Sequence, residues 1–334
     1  MAFAWVRKAA VLGALLTAAC TATANSDSYA IWYTPSQPSA LVTRSTEAWF
    51  AYGENVNGKS GVGVVRGTTL QAVLENDPQL EVEQLAVDRN GKVFFGAKDD
   101  PDFVRTASVI GEVSDHRIQR RIRIDNAWVG GIGFGYDGGL YFVKDDKPAF
   151  GVLQRNGSTT YCRLGGGHYA DRTAESDNRL VSDGNVVWIY WRSQEAVVLV
   201  KQRCQQRVFR YRIGNAKGMT VNQGNLWLLQ SDGRVIMVTP QGFVSSYKPE
   251  IDGEASAIGT LKRSVCVVGS TQIACRVGRV WRFWKLPVQG SVSAFAASSS
   301  PSFAWFTYLR LDRPGGDVIG AIVRVDSKYF GDLL

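Results

Sequence analysis

Ten side chains with oxygen donors recur at comparable places along the chain: Glu54 with Asn55, Asp99, Asp100 and Asp102, Asp145 and Asp146, Glu195, Asp232, and Asp312. Gathered on one surface, such groups could hold a hard cation, calcium or magnesium, or present an acidic face to a protein or glycan. Aspartate is also enriched in turns for backbone reasons alone, so solvated turns compete with both readings. Histidine, the commonest general base, is scarce. His116 lies in SDHRIQRRIRI and His168 follows Gly165, Gly166 and Gly167, glycines that let a loop approach a ligand closely. That loop lacks the strand-to-helix setting of a phosphate loop. No G-x-S-x-G serine, no cysteine beside a histidine and no dinucleotide glycine pattern is present. No catalytic set is therefore assigned, and no cofactor is required.

These groups are spaced by a repeat. An apolar strand, a polar turn and an aromatic-rich strand recur in LVTRSTEAWFAY, LAVDRNGKVFFGA, IGFGYDGGLYFV, LVSDGNVVWIYW, MTVNQGNLWLL, AIGTLKRSVCVV and AFAASSSPSFAWFTY. Aligned, they place Trp49, Phe94, Tyr141, Trp188, Trp227, Cys266 and Trp305 at one position, 39 to 47 residues apart. A period of this length, with strands and no amphipathic helical pattern, predicts an all-β, seven-bladed β-propeller. Asn90-Gly91, Asp137-Gly138, Asp183-Gly184 and Gln223-Gly224 stand where a tight turn between the first two strands of a blade needs positive φ. The shared aromatic alternates with small or polar neighbours, so it is expected to point between blades as core. Residues 29–41, YAIWYTPSQPSAL, read as an outer strand and a turn into the first blade. That strand is expected to complete the seventh blade, closing the ring and hiding its edges. The acidic groups then fall in loops between second and third strands, on one face of the disc.

The start of the chain reads as an export signal: Arg7 and Lys8, an apolar run from Ala9 to Leu16 too short to span a bilayer, then small residues. Cleavage after Ala24 makes residues 1–24 the signal and residues 25–334 a single propeller domain. Cleavage before Cys20 makes residues 1–19 the signal and Cys20 a lipidated anchor, with Thr17 departing from the usual leucine. Four cysteines remain, an even number that suggests disulfides outside the cytoplasm. In VCVVGSTQIAC, a two-residue turn at Ser270-Thr271 sets Cys266 opposite Cys275. Cys162 and Cys204 pair by elimination, with two separate thiols as the alternative. No spacing resembles a zinc site.

At two places the residues resemble a known family. YTPSQPSALVTRSTEAWFAYGENVNGKSGVGVV and AWFTYLRLDRPGGDVIGAIVRVD, through Trp305-Phe306-Thr307 and Ile319-Gly320-Ala321-Ile322, are similar to the propeller repeat of virginiamycin B lyase. The resemblance implies seven blades. It would also imply elimination chemistry using paired histidines, a glutamate and a divalent metal in a late blade. His116 and His168 cannot supply that pair, so no catalytic residue carries over.

The formal charge is +8, or +6 without residues 1–24. Basic residues cluster in two runs expected to be outer strands, with Arg117, Gln119, Arg121 and Arg123 on one face of the first, and Lys201, Arg203, Gln205 and Arg207 on one face of the second. Cationic edges discourage strand-to-strand aggregation, and a rim for anionic lipid or polysaccharide is the alternative. Export and the lack of interleaved stacking aromatics disfavour nucleic acid. The sequence thus predicts a monomeric, exported propeller, periplasmic or lipid-anchored in a bacterial envelope, that binds an envelope protein or glycan without catalysis. The membrane enters only through an anchor at Cys20. The alternative is a metal-dependent lyase or lactone hydrolase of the virginiamycin B lyase or gluconolactonase type.

Overall fold

A computed structural model describes residues 24–26, 28–34, 36–53, 60–74, 80–99, 107–114, 117–144, 149–165, 178–211, 213–297, 303–311 and 318–333. They form seven antiparallel sheets whose strands follow one another from the axis outward. Blade 1 comprises Pro38–Arg44, Glu47–Tyr52, Gly61–Arg66 and Thr69–Leu74, and blade 2 Leu80–Val87, Val93–Asp99, Ala107–Ser114 and Arg117–Asp125. Blade 3 comprises Val129–Phe134, Leu140–Lys144, Ala149–Leu153 and Thr159–Arg163, and blade 4 Arg179–Ser182, Val187–Trp191, Ala196–Gln202 and Gln205–Arg210. Blade 5 comprises Ala216–Asn222, Asn225–Gln230, Val235–Val238 and Val244–Tyr247, and blade 6 Ala257–Leu261, Ser264–Val268, Gln272–Val277 and Val280–Lys285. Blade 7 takes Gly290–Ala297, Phe303–Leu311 and Val318–Asp326 from the end of the chain and Tyr29–Tyr33 from its beginning.

The closing strand pairs antiparallel with Val318–Asp326, Tyr29 opposite Val325 and Tyr33 opposite Ala321, as the sequence predicts. Ala24–Ser26 adds a short fifth strand outside it. Among the described residues no helix is long and apolar enough to cross a membrane.

Why these strands stack as blades is visible in the shared position. Each residue there faces the next blade and joins the apolar layer between the two: Trp49 with blade 2, Tyr141 with blade 4, Trp188 with blade 5, Trp227 with blade 6, Cys266 with blade 7 and Trp305 with blade 1. Phe94 is half-buried and packs edge-on against Phe134 of blade 3, centroids 5.1 Å apart. A large ring buries roughly 150–250 Å², so the six layers that hold one contribute much of the driving force for closure. The innermost strands also approach closely. A Cβ on Gly131 would meet the Leu180 backbone nitrogen of blade 4 at 2.7 Å, so only glycine fits there.

Both cysteine pairings form. Cys266 and Cys275 stand opposite each other on neighbouring strands and are bonded inside blade 6. Cys162 of blade 3 is bonded to Cys204 of blade 4, stapling two rims together. Such bonds suit a chain that folds in an oxidising compartment.

Both basic runs depart from expectation. In the first, the register slips between Arg120 and Ile122, leaving Arg121 as a bulge. The bulge inverts the alternation beyond it, because one extra residue exchanges the two faces of a strand. Arg121 therefore reaches Glu112, which faces blade 3, whereas Arg123 reaches Asp99, which faces blade 1. The second run is not one strand. Lys201 ends the third strand of blade 4, Arg203 turns the chain at φ 47°, and Gln205 and Arg207 begin the fourth.

Candidate functional site

The predicted acidic face is described at three of its ten positions. Asp99 ends the second strand of its blade and Glu195 and Asp232 follow theirs, so the topology sets all three on the same face of the disc. Asp99 is 4% exposed and paired with Arg123, which takes it out of contact with any partner. Glu195 is exposed and ends a short 3-10 turn, its N–H donating to the Arg192 carbonyl. Asp232 is exposed and accepts from the Arg234 backbone N–H at 3.0 Å and from its Nε at 2.6 Å. The backbone bond foremost, with the guanidinium, holds its carboxyl below the usual carboxylate range despite a small opposing effect of burial. Glu54, Asn55, Asp100, Asp102, Asp145, Asp146, Asp312, His116, the Gly166-Gly167-His168 loop and Cys20 lie outside the described residues. Among those that are described, no three His, Cys, Asp or Glu side chains are grouped to hold a metal ion.

The structure instead assembles a site at the axis. The seven innermost strands enclose a channel of about 1470 Å³. On the face of the second-to-third-strand loops, its mouth is shaped by one repeated irregularity. In blades 1, 2, 3, 5 and 7 the innermost strand bulges, leaving Ser39, Glu83, Gly130, Lys217 and Ser293 unpaired, each three residues before the one opposite the shared aromatic position. Ser256 holds the same place in blade 6, and all six residues line the channel. A bulge re-aims a side chain at the expense of ladder pairing, and its recurrence at one register position makes these residues a collar.

The collar is lopsided. Blades 6, 7 and 1 contribute only serines, Ser256, Ser293 and Ser39, of which Ser293 Oγ donates to the Pro38 carbonyl at 2.9 Å and Ser256 Oγ to the Val268 carbonyl at 3.2 Å. Blades 2, 4 and 5 carry the charge, and blade 3 adds Gly130 and the Trp128 ring. Lys98 Nζ lies 2.6 Å from Glu83, 3.6 Å from Glu81 and 5.1 Å from the centre of the Trp128 ring. Lys217 pairs with Glu254, and Arg179 donates to the Lys217 carbonyl at 2.6 Å. Burial disfavours the charged form of Lys98, but the hydrogen bonds and charges of Glu83 and Glu81 outweigh it and raise its pKa above the ordinary lysine value. It stays protonated at neutral pH, which suits a fixed positive charge and not a proton acceptor.

The opposite mouth is partly bridged. Arg89 of blade 2 passes Tyr136 of blade 3, its guanidinium carbon 5.5 Å from that ring, and donates to the Gly184 carbonyl of blade 4 at 2.8 Å. The channel thus has a charged lip carrying one ring, Trp128, at one mouth and a single arginine strap across part of the other. Its lip residues escape a sequence reading because one charged residue near a strand start looks like any solvated position. The signal that finds them is their fixed offset from the shared aromatic.

No family profile and no curated protein matches this sequence. Among solved structures, virginiamycin B lyase from Staphylococcus aureus superposes with a TM-score of 0.67 at 12% identity, covering 89% of this chain and 98% of that one. A streptogramin B lyase gives 0.67 at 14% identity, covering 90% and 99%. YCF48 bound to D1 peptide gives 0.60 at 11% identity, covering 92% and 99%. The likeness to the lyase-type repeat predicted from Trp305-Phe306-Thr307 is therefore one of fold: a seven-bladed propeller over nearly the whole chain.

Proposed function

We propose that this chain is a non-catalytic binding module, exported to the cell envelope, which holds an envelope protein or glycan on the collar face of its propeller. The observation that carries the reading is the collar itself. Its charges are rigidly framed by Lys98 with Glu83 and by Lys217 with Glu254, beside Trp128 and a row of serines. Paired charges around an aromatic discriminate among partners by complementarity. A rigid closed ring also loses little entropy when a partner docks. A propeller of comparable fold with a peptide bound to it, YCF48, supports the same use of the architecture.

The test is position-specific photo-crosslinking in intact cells, from Ser39 or Ser256 on the collar and from Phe243, 72% exposed on the opposite face. One defined partner captured from the collar and lost in Lys98→Ser with Lys217→Ser supports the reading. Equal capture from Phe243, or none from the collar, sinks it. Near-stoichiometric divalent metal in the purified protein would instead favour the metal-dependent lyase or lactone hydrolase.

A further inference from the structure

Arg66, Arg89 and Lys98 each lie over an aromatic ring, and each also has a protein acceptor: Glu47 at 2.8 Å, the Gly184 carbonyl at 2.8 Å and Glu83 at 2.6 Å. Arg324, in the third strand of blade 7, differs. Its guanidinium carbon lies 4.6 Å from the centre of Phe303, 5.5 Å from Trp32 and 5.9 Å from Trp305. Yet it makes no hydrogen bond or ion pair among the described residues. The carboxylate of Asp326, two residues on, accepts from the Lys328 backbone N–H at 2.9 Å. On the same wall, Trp305 is fully buried and its Nε1 has no acceptor, whereas Trp32 Nε1 donates to the Thr68 carbonyl at 2.9 Å. Burial lowers the pKa of Arg324, and Asp326 offsets this only in part.

A half-buried guanidinium held among rings with no protein acceptor for its fork is a set of donors only. Native structures rarely leave such groups unmet. The complement is a planar or tetrahedral oxyanion, which an arginine fork engages by two parallel bonds. We propose that Arg324 binds an oxyanion, a phosphate or carboxylate group, at the edge of the layer between blades 7 and 1, beside Phe303. The place in the fold bears on the source. Arg324 stands opposite Ala30 in the closing strand, and Ala30 stands opposite Asn25. Were Cys20 lipidated, the five residues to Asn25 would span at most about 18 Å, which puts headgroup phosphates in reach as well as soluble anions.

The test uses the full chain with Cys20→Ser, so that no attached lipid supplies membrane affinity. Tryptophan emission is followed against inorganic phosphate, acetate and phosphatidylglycerol vesicles. We expect saturable binding of at least one probe, weakened about tenfold or more in Arg324→Gln, the size of one lost charge-assisted hydrogen bond. Arg324→Lys keeps the charge and most of the stem, so it guards against misfolding. Loss of the fork alone should still weaken binding several-fold. Binding of phosphate or acetate identifies a soluble oxyanion as sufficient, and binding of vesicles alone identifies the headgroup. No binding of any probe, or Arg324→Gln and Arg324→Lys that both bind as the parent does, overturns the proposal.

Discussion

The layer between blades 4 and 5 and the layer between blades 6 and 7 fill one repeat position with different chemistry. In the first, Trp188 is 0% exposed, packs 5.8 Å from Phe209 and donates its Nε1 to the Gly224 carbonyl of the next blade at 3.0 Å. In the second, the Cys266–Cys275 bridge takes the place of the ring, and bulk comes from elsewhere: Phe295 stacks on Phe306 of blade 7, and Phe330 from the C-terminal turns inserts beside Phe306 and Trp284. What the position demands is filled volume rather than an aromatic. A small cross-linked pair suffices where neighbouring side chains move into the space.

That comparison can be broken most forcefully at Trp188. Trp188→Ala removes the ring and its hydrogen bond together and should cost about 3–5 kcal/mol in denaturant unfolding. Cys266→Ala with Cys275→Ala should cost less, about 2–3 kcal/mol, because the bridge closes a short loop and the layer is already filled around it. A cost equal to that of Trp188→Ala would mean that the bridge, and not Phe295, Phe306 and Phe330, carries the layer. A finer contrast is Trp188→Phe against Trp305→Phe. The first strips the donor from the Gly224 carbonyl and the second loses no protein hydrogen bond, so the first should be worse by about 1 kcal/mol.

The smallest effect extends the comparison to blade 2, where Phe94 holds the position and Glu112 stands directly opposite. Glu112 is 6% exposed. Burial tends to raise its pKa, but Lys92 and Arg121 outweigh this and leave it below the ordinary glutamate value of 4.5. A lowered folded-state pKa means stability that is complete above about pH 4.5 and lost as pH falls through the folded value. Glu112→Gln should therefore leave a shallower acid limb in thermal melts recorded below pH 4.5. An unchanged limb would show that the carboxylate gains nothing from its two cations.

Much of this architecture is legible in the sequence because it rests on local rules repeated seven times. Gly91, Gly138, Gly184 and Gly224 all adopt positive φ in the turns between first and second strands, although only Gln223-Gly224 is a two-residue turn and the other three are longer. The ring-closing strand is legible because YAIWY has no inner strands before it. The bulge at Arg121 is not, since a register slip depends on what Glu112 and Asp99 on the neighbouring strands attract, not on its own strand's alternation. The collar hides for a related reason. Glu83 and Lys217 acquire meaning only when bulges in several blades align them around one axis. Asp99 reads as a surface acid because its partner, Arg123, is distant in the chain and brought close by the sheet.

The closing strand has a kinetic consequence. Tyr29–Tyr33 leaves the ribosome ahead of blades 1 to 6 and its partner Val318–Asp326 after them, so one edge of the strand stays unmatched while those blades are made. Blades 1 to 6 each consist of consecutive strands and can form in order of emergence, whereas the ring locks only after the whole loop between its ends has been closed. Truncation a few residues before Val318 would thus produce six intact blades and an open, adhesive horseshoe.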